Sequence, residues 1–326
     1  MQIGIIGLPN VGKSTLFNCM TKAHAAVADY PFTTIEPNIG IVSVPDSRLA
    51  ALGVLYKPEK LTPASIRFVD IAGLVKGASK GEGLGNKFLS HIREMDALLH
   101  VVDCFREGSE PDEEVSIVRS ELLLADLDTV HKKISNTAPR AKCGIKEAKE
   151  DLEKLYIIKQ DIENGNSPQV SLPELNLISS IPVFYAANMK DTSLALPESK
   201  YNFVKINAKL ESEIVELSDQ EKIELQVKSE LPDIISAGYA LLGLITFYTT
   251  VGTEIRAWNI KNGSTAQAAA GKIHSDFEKN FIRAEVFNFS ELELRGSEKN
   301  LQENGLVRTE GREYIVKDGD ILKIKI

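Results

Sequence analysis

Cysteine is scarce in this 326-residue sequence, which contains only Cys19, Cys104 and Cys143. Because none of them belongs to a C-x-x-C pair, we expect neither a disulfide framework nor a structural zinc site. The first ten residues carry no basic stretch and no small-residue cleavage site, so a signal peptide is not expected. Together these absences predict a protein of the reducing cytoplasm.

Positive charge is in deficit, since 38 Lys and Arg face 46 Asp and Glu, a formal net charge of −8. This excludes a histone-like polycation; no DNA partner is expected, and any contact with RNA requires a local basic patch. One uncharged run, residues 234–253, is long enough to span a bilayer. Ser236, Gly238 and Thr246 interrupt it, which favours a buried helix that continues into a strand, so no membrane partner is expected.

Six short apolar runs alternate with segments of helical periodicity. They lie at residues 2–7, 39–44, 66–70, 97–103, 181–187 and 203–206. Several of these runs end in a polar residue or a loop, which is typical of strands in a mainly parallel α/β sheet with flanking helices. The sequence therefore predicts an α/β fold for its larger part.

Between the fourth and fifth runs the composition changes to Glu, Lys, Leu, Ile and Ala at helical spacing. Residues 112–135 and 140–164 each carry an apolar stripe, and residues 136–139 form a natural break between them. We predict an antiparallel helical hairpin inserted at about residues 106–165. The alternative is two ordinary helices packed on the sheet.

The last part of the sequence, residues 244–326, differs from the rest in charge, with 12 Lys and Arg against 12 Asp and Glu. Asp318-Gly319 lies between residues 314–316 and 321–326, which predicts a hairpin. Thr265 follows a Gly-Ser turn and is expected to cap a helix that runs to about His274. We predict two domains, residues 1–243 and a small mixed β/α domain of residues 244–326.

The first apolar run leads into a glycine-rich loop, Gly7-Leu-Pro-Asn-Val-Gly-Lys-Ser14, which matches G-x-x-x-x-G-K-[ST]. Strand, loop and helix follow one another here, as a phosphate-binding loop requires. The Lys13 ammonium is expected to reach the β- and γ-phosphates, and the Ser14 hydroxyl is a hard ligand for Mg²⁺. The main-chain amides predicted to wrap the diphosphate belong to Asn10, Val11, Gly12, Lys13, Ser14 and Thr15.

Two further segments are expected to sense the γ-phosphate. Thr34 lies between the first helix and the second strand, where a switch loop belongs, and offers a second hydroxyl to Mg²⁺. Asp70 closes a strand in a D-x-x-G pattern; its carboxylate is expected to hold Mg²⁺ through water, and the Gly73 amide to bind the γ-phosphate. Turn residues and an ordinary surface loop are the alternatives.

These motifs resemble a known family. Gly7 to Thr15, Y-P-F-T-T-I-E-P-N at residues 30–38 and D-I-A-G-L-V-K-G-A-S-K-G-E-G-L-G at residues 70–85 are similar to the Obg-like ATPase (YchF-type) branch of the Obg group of translation-factor-class P-loop GTPases. The resemblance covers essentially the whole chain, including the hairpin and A-G-K-I-H-S-D-F-E at residues 270–278. It implies a G domain of the P-loop NTPase fold, a small β-grasp domain of the TGS type, ATP hydrolysis and ribosome binding.

The base-reading motif departs from the guanine pattern N-K-x-D, because residues 188–191 read Asn-Met-Lys-Asp. The resemblance implies that Asn188 and Met189 meet an adenine edge and that Phe105 covers its face. Asp191 stands where the branch usually has glutamate, which is a departure toward the guanine pattern. We expect ATP to be preferred, with GTP as the alternative substrate.

Hydrolysis is expected to be slow. The position after D-x-x-G, where many relatives carry a water-orienting glutamine, is Leu74, and leucine forms no hydrogen bond. His100 is expected to be a packed strand residue and His91 a helix-surface residue, so no general base is assigned. Catalysis then depends on Lys13, Mg²⁺ and the loop amides. Asn10 stands where some relatives hold K⁺, a secondary hypothesis.

A second class of function is a ribosome- or RNA-binding module in which hydrolysis is incidental. TGS-type domains resemble modules of RNA-associated proteins. A local basic face is one interpretation of the carboxy-terminal cations, and a solvated surface of mixed charge is the other. The cations concerned are Lys272, Lys279, Arg283, Lys323 and Lys325.

Overall fold

A computed structural model describes residues 1–25, 38–71 and 84–326. The chain divides into two compact units. Of the described residues, the first unit contains 1–23, 38–40, 67–71 and 84–234, and the second contains 24–25, 41–66 and 235–326. The division at residues 243 and 244 stays a prediction.

A six-stranded sheet, the first sheet, has the order β2-β4-β1-β5-β6-β7. Its strands are β1 (Gln2–Ile6), β2 (Ile39–Ser43), β4 (Ser65–Asp70), β5 (Ala97–Asp103), β6 (Val183–Asn188) and β7 (Phe203–Ile206). Strand β1 pairs in parallel with β4 and β5, and the pairs β5–β6 and β6–β7 are also parallel. The predicted α/β class with a mainly parallel sheet is confirmed.

Helices follow these strands along the chain. They are α1 (Lys13–Ala25), α2 (Ser47–Tyr56), α3 (Leu84–Arg93), α4 (Pro111–Lys142), α5 (Lys146–Glu163), α6 (Ala208–Ile214) and α7 (Asp219–Glu224). Side chains of β1, β5, α3 and α4 form one core cluster, in which Leu98, Val118 and Ile92 are at most 1% exposed. Short 3₁₀ turns at Pro173–Leu175 and Ile178–Ser180 lead back to β6.

The helical hairpin exists, but the predicted break at residues 136–139 is wrong. Helix α4 continues through Pro139 to Lys142, and Gly144, with φ of +87°, provides the turn. Thr137 and Ala141 are buried in the last turns, and this burial outweighs the local preference of Asn136 and Pro139 for a loop. Leu123 and Val130 of α4 share a cluster with Leu155 and Ile162 of α5.

A second six-stranded sheet has the order β11-β10-β12-β8-β9-β3. Its strands are β3 (Lys60–Thr62), β8 (Leu244–Val251), β9 (Glu254–Lys261), β10 (Arg283–Asn288), β11 (Arg308–Glu310) and β12 (Asp320–Lys325). The accompanying helices are α8 (Leu231–Leu241), α9 (Ala266–Ile273), α10 (Ser275–Lys279), α11 (Phe289–Arg295) and α12 (Glu298–Glu303). Helix α2 and strand β3 are elements that the sequence analysis did not predict.

The predicted carboxy-terminal hairpin is also wrong in its pairing. The Asp318-Gly319 turn is present, but β12 pairs antiparallel with β10 and parallel with β8 rather than with residues 314–316. Those residues instead attach to the start of α9, where the Ala266 amide donates to the Tyr314 carbonyl at 2.8 Å. Thr265 caps α9 as predicted, accepting a hydrogen bond from the Ala268 amide.

The uncharged run of residues 234–253 folds as expected, as the end of α8 followed by β8. Across residues 1–25, 38–71 and 84–326, no helix is long and apolar enough to cross a membrane.

Candidate nucleotide-binding site

The loop between β1 and α1 has a backbone that only glycine tolerates at two positions. Gly7 has φ of +147° and Gly12 has φ of +100°. A Cβ at Gly7 would collide with the Val101 carbonyl oxygen, and a Cβ at Gly12 would lie 2.5 Å from the Asn188 Nδ2. Helix α1 begins at Lys13, so the first main-chain amides of its first turn have no helical acceptor and are free to bind an anion.

The side chain of Lys13 is buried against the inner side of this loop. Its side chain is only 7% exposed, and its Nζ donates to the Leu8 carbonyl at 2.6 Å. Burial lowers the pKa of Lys13, while the negative charges of Asp70 and Glu114 act in the opposite direction. The ammonium is therefore held against the loop by one carbonyl and the field of two carboxylates, a position suited to a phosphate group.

Two of the predicted Mg²⁺ ligands lie in the described part of the chain. Ser14 is exposed in the first turn of α1, and Asp70 is half-buried at the end of β4, where it pairs in register with Ile5 of β1. A hydroxyl and a carboxylate are the hard oxygen donors that Mg²⁺ prefers, so the residues present fit the ion. Thr34 and Gly73, together with Leu74, lie outside the described residues.

Asn188 joins the phosphate loop to the far end of the sheet. Its Nδ2 donates to the Val11 carbonyl at 2.9 Å, and its Oδ1 accepts from the Ala208 amide at 3.0 Å. The side chain is 6% exposed. Since Val11 and Ala208 flank different helices, a single amide side chain fixes the spacing between the phosphate loop and the start of α6.

The segment after β5 forms a second set of hydrogen bonds that hold the phosphate loop. Asp103 Oδ1 accepts from the amides of Phe105 and Arg106, and its Oδ2 pairs with the Arg106 guanidinium at 3.1 Å. The same guanidinium donates to the Asn10 carbonyl at 3.2 Å and lies 5.2 Å from the centre of the Phe105 ring. Arg106 therefore links the phosphate loop to the ring that is predicted to cover the base.

Comparisons with known proteins agree with this geometry. A family profile described as a 50S ribosome-binding GTPase matches residues 2–136, and the carboxy-terminal YchF GTPase profile, described as a protein of unknown function, matches residues 244–326. The chain is 44% identical to the ribosome-binding ATPase YchF of Bacillus subtilis, with 100% of this chain and 99% of that protein covered. It is 42% identical to the protein of the same name from Escherichia coli O157:H7, with 98% of each covered.

The chain belongs to the YchF family. The structure of the Schizosaccharomyces pombe YchF GTPase is similar over 100% of this chain and 97% of that one, with a TM-score of 0.87 and 33% identity. The resemblance stated from the motifs is thereby confirmed.

In this YchF chain, residues 188–191 of the base-reading motif are partly buried and engaged in hydrogen bonds within the protein. Met189 is 6% exposed, and its amide donates to the Ile206 carbonyl at 2.8 Å. Asp191 is exposed and accepts from the Ser193 amide at 2.9 Å, and hydrogen bonds from Ser193 lower its pKa. Asn207 caps α6 and donates to the Lys190 carbonyl. Contacts of Asn188, Met189 and Phe105 with a base stay predictions.

Sequence analysis did not single out Arg106, Asp103 or Glu114. The Glu114 carboxylate accepts from the Asp103 amide at 2.8 Å, and burial raises its pKa. Their position in the sequence could have indicated them, since Asp103 ends the parallel strand β5 and Arg106 follows it, at the edge where α/β sheets bind ligands.

The histidine expectations are confirmed, with His91 exposed on α3 and His100 buried in β5.

Of the three cysteines, Cys19 is buried and Cys104 is partly buried, and burial raises the pKa of each thiol to about 11. Neither thiol is therefore activated at neutral pH.

Proposed function

We propose that this protein hydrolyses ATP to ADP and phosphate with Mg²⁺ and binds the ribosome in a nucleotide-dependent way. The observation that carries the proposal is the phosphate loop, with its two left-handed glycines and the buried Lys13 beneath it. The relatives named ribosome-binding ATPases support both the nucleotide and the partner. With this partner, the protein would act in the cytoplasm.

The residues present divide the chemistry among them. Lys13 stabilises negative charge that develops on the transferring phosphoryl group, and the loop amides hold the diphosphate without reorganising. Ser14, Asp70 and Thr34 would hold Mg²⁺, which supplies charge neutralisation at the β- and γ-phosphates. The described residues include no group placed to act as a general base, so the intrinsic rate of hydrolysis should be slow.

Binding of K⁺ at Asn10 is a secondary proposal. Equal hydrolysis rates in Na⁺ and K⁺ buffers would contradict it.

GTP is the alternative substrate, and Asp191 is the residue that favours it. Its carboxylate is exposed and ionised, as guanine recognition requires, although Ser193 occupies one of its oxygens. The second position of the motif argues against GTP. Met189 is buried there, where the guanine motif N-K-x-D has its lysine.

A nucleotide-independent RNA-binding module receives less support from the second unit. Lys323 forms an ion pair with Glu298, and Lys325 lies 3.9 Å from a Glu285 oxygen. Two of the five cations suggested for a basic face are therefore partly neutralised by neighbouring carboxylates.

Competition for a fluorescent ATP analogue tests the choice of nucleotide. With Mg²⁺ present, ATP should displace the analogue at lower concentration than GTP, and Asp191→Glu should widen that difference. Lys13→Ala should weaken both nucleotides; unchanged affinity would remove the basis of the proposal. Displacement by GTP at lower concentration than ATP would favour the GTPase.

Co-sedimentation with ribosomes tests the partner. We expect more protein in the ribosome pellet with a slowly hydrolysed ATP analogue than with ADP. Equal binding in both states would leave a binding module whose hydrolysis is incidental, and no binding in either state would contradict the partner.

A further inference from the structure

A cavity of about 230 Å³ lies in the first unit, between α4 and the first sheet. Register places Ile6, His100 and Tyr185 side by side on neighbouring strands, and all three line it. Helix α4 covers them with Val115, Val118 and Leu122. The cavity is therefore lined mainly by apolar and aromatic groups, and none of the residues lining it belongs to the predicted nucleotide site.

Two residues that line this cavity each carry a buried polar side-chain atom with no hydrogen-bond partner among the described residues. His100 is 2% exposed, and its Nε2 is unpaired; the Ser179 hydroxyl, from the 3₁₀ turn before β6, is unpaired as well. Burial lowers the pKa of His100 to about 3, so the ring is neutral and its Nε2 can either donate or accept. Buried polar atoms are almost always hydrogen-bonded in native proteins, so an occupant with polar atoms is indicated.

The positively charged side chain of Arg119 lies at the same cavity. Arg119 is exposed on α4, one turn after Val115, and lines the cavity. Within the described part of the chain no hydrogen bond or ion pair engages its guanidinium, which is close enough to Tyr185 to oppose the rise in the pKa of that hydroxyl. An unpaired guanidinium beside an apolar space favours a carboxylate at the rim.

A buried carboxylate that is bonded to two of the lining residues does not cancel this preference. Asp126 is fully buried, but its oxygens accept from the Ile178 amide at 3.0 Å and the Ser179 amide at 2.7 Å. Arg93 lies 4.0 Å from it. The charge of Asp126 is thus compensated from within the protein, whereas no described residue forms an ion pair with Arg119.

The volume sets the size of the occupant. A dry cavity of about 150 Å³ lined by Leu, Ile and Phe accepts benzene. This cavity is larger by roughly the volume of a short side chain, and Tyr185 is supported by Tyr201, whose ring centre is 4.8 Å away. We propose that the cavity beneath α4 binds a small aromatic carboxylic acid, with its ring among Val118, Leu122 and Tyr185 and its carboxylate toward Arg119.

Calorimetric titration of the full chain with 3-phenylpropionate and with its neutral amide tests the proposal. The acid should bind with one site per chain and about fivefold more tightly than the amide, a modest factor because Arg119 is solvent-exposed. Arg119→Gln should remove that preference. Lys132→Gln, an exposed cation farther along α4, should leave it unchanged.

A cavity-filling variant keeps the test decisive. Ser179→Met places a flexible apolar chain where the unpaired hydroxyl lies and should abolish binding of both probes, with the circular dichroism spectrum unchanged. Binding that survives in Ser179→Met would place the probe elsewhere. Absence of saturable binding to the unmodified chain at millimolar probe would mean that the cavity holds water only. The result stands apart from nucleotide chemistry, since no nucleotide is needed.

Discussion

The first unit contains two polar regions that use their hydrogen bonds in opposite ways. At the carboxyl edge of the first sheet, Lys13, Asn188 and Arg106 each engage main-chain carbonyls of the phosphate loop. Beneath α4, the His100 Nε2 and the Ser179 hydroxyl have no hydrogen-bond partner among the described residues. At the first region, side chains hold a backbone that does the binding; at the second, side chains are left free to meet a ligand.

The largest effect should come from breaking the first region at Gly12. Gly12→Ala places a Cβ 2.5 Å from the Asn188 Nδ2 on a residue with φ of +100°. The loop backbone therefore cannot be kept together with the Asn188 clamp, the two hydrogen bonds by which Asn188 joins Val11 and Ala208. We expect a cost of about 3 kcal/mol, or a loss of roughly a hundredfold in nucleotide affinity. Fluorescent-nucleotide titration measures it.

Gly165→Ala is the matched control for this variant. Gly165 also has a positive φ, +77°, but no atom lies within 4 Å of its added Cβ. Nucleotide affinity should stay unchanged, because only local backbone strain is introduced. If both variants bind nucleotide equally well, the close approach to Asn188 is irrelevant to binding.

Asn188→Ala tests the clamp itself. It leaves the Val11 carbonyl and the Ala208 amide without their buried partner, which should cost about 2–3 kcal/mol of unfolding free energy. Urea unfolding measures this loss, with Asn18→Ala, an exposed residue of α1, as the control. An unfolding midpoint equal to that of the control would show that the clamp does not hold the loop.

The two regions also differ in how far sequence could foresee them. The phosphate loop is local: its glycine spacing and Lys13 follow from eight consecutive residues, and strands such as β5 and β7 were predicted at their observed bounds. The Asn188 clamp joins Val11 and Asn188, which are 177 positions apart, and the cavity needs three strands, α4 and a 3₁₀ turn brought together. The predictions for the partner of β12 and for a break before Pro139 were wrong for the same reason. In both cases, contacts with residues far away in the sequence determine the structure.

His100 should give the second region a pH dependence of its own. Its pKa is about 3 in the folded chain and about 6.5 when unfolded, so between these values only the unfolded chain binds the proton and acid destabilises the fold. This contribution should reduce stability by about 2 kcal/mol between pH 7 and pH 5. Urea midpoints at both pH values, compared with His100→Phe, isolate it. Equal pH slopes would show that His100 contributes none of this dependence.

The smallest effect is expected at Arg106, where the second set of hydrogen bonds is exposed. Its side chain is 55% exposed, so its pair with Asp103 and its hydrogen bond to the Asn10 carbonyl are screened by water. Arg106→Gln should weaken nucleotide binding by about twofold to fivefold, while Arg140→Gln at the far end of α4 should not. The difference should shrink in 0.5 M salt, because screening removes most of what the exposed charge contributes. A loss as large as that of Gly12→Ala would instead make Arg106 a principal support of the phosphate loop, and a difference that persists in salt would assign its role to packing over Phe105.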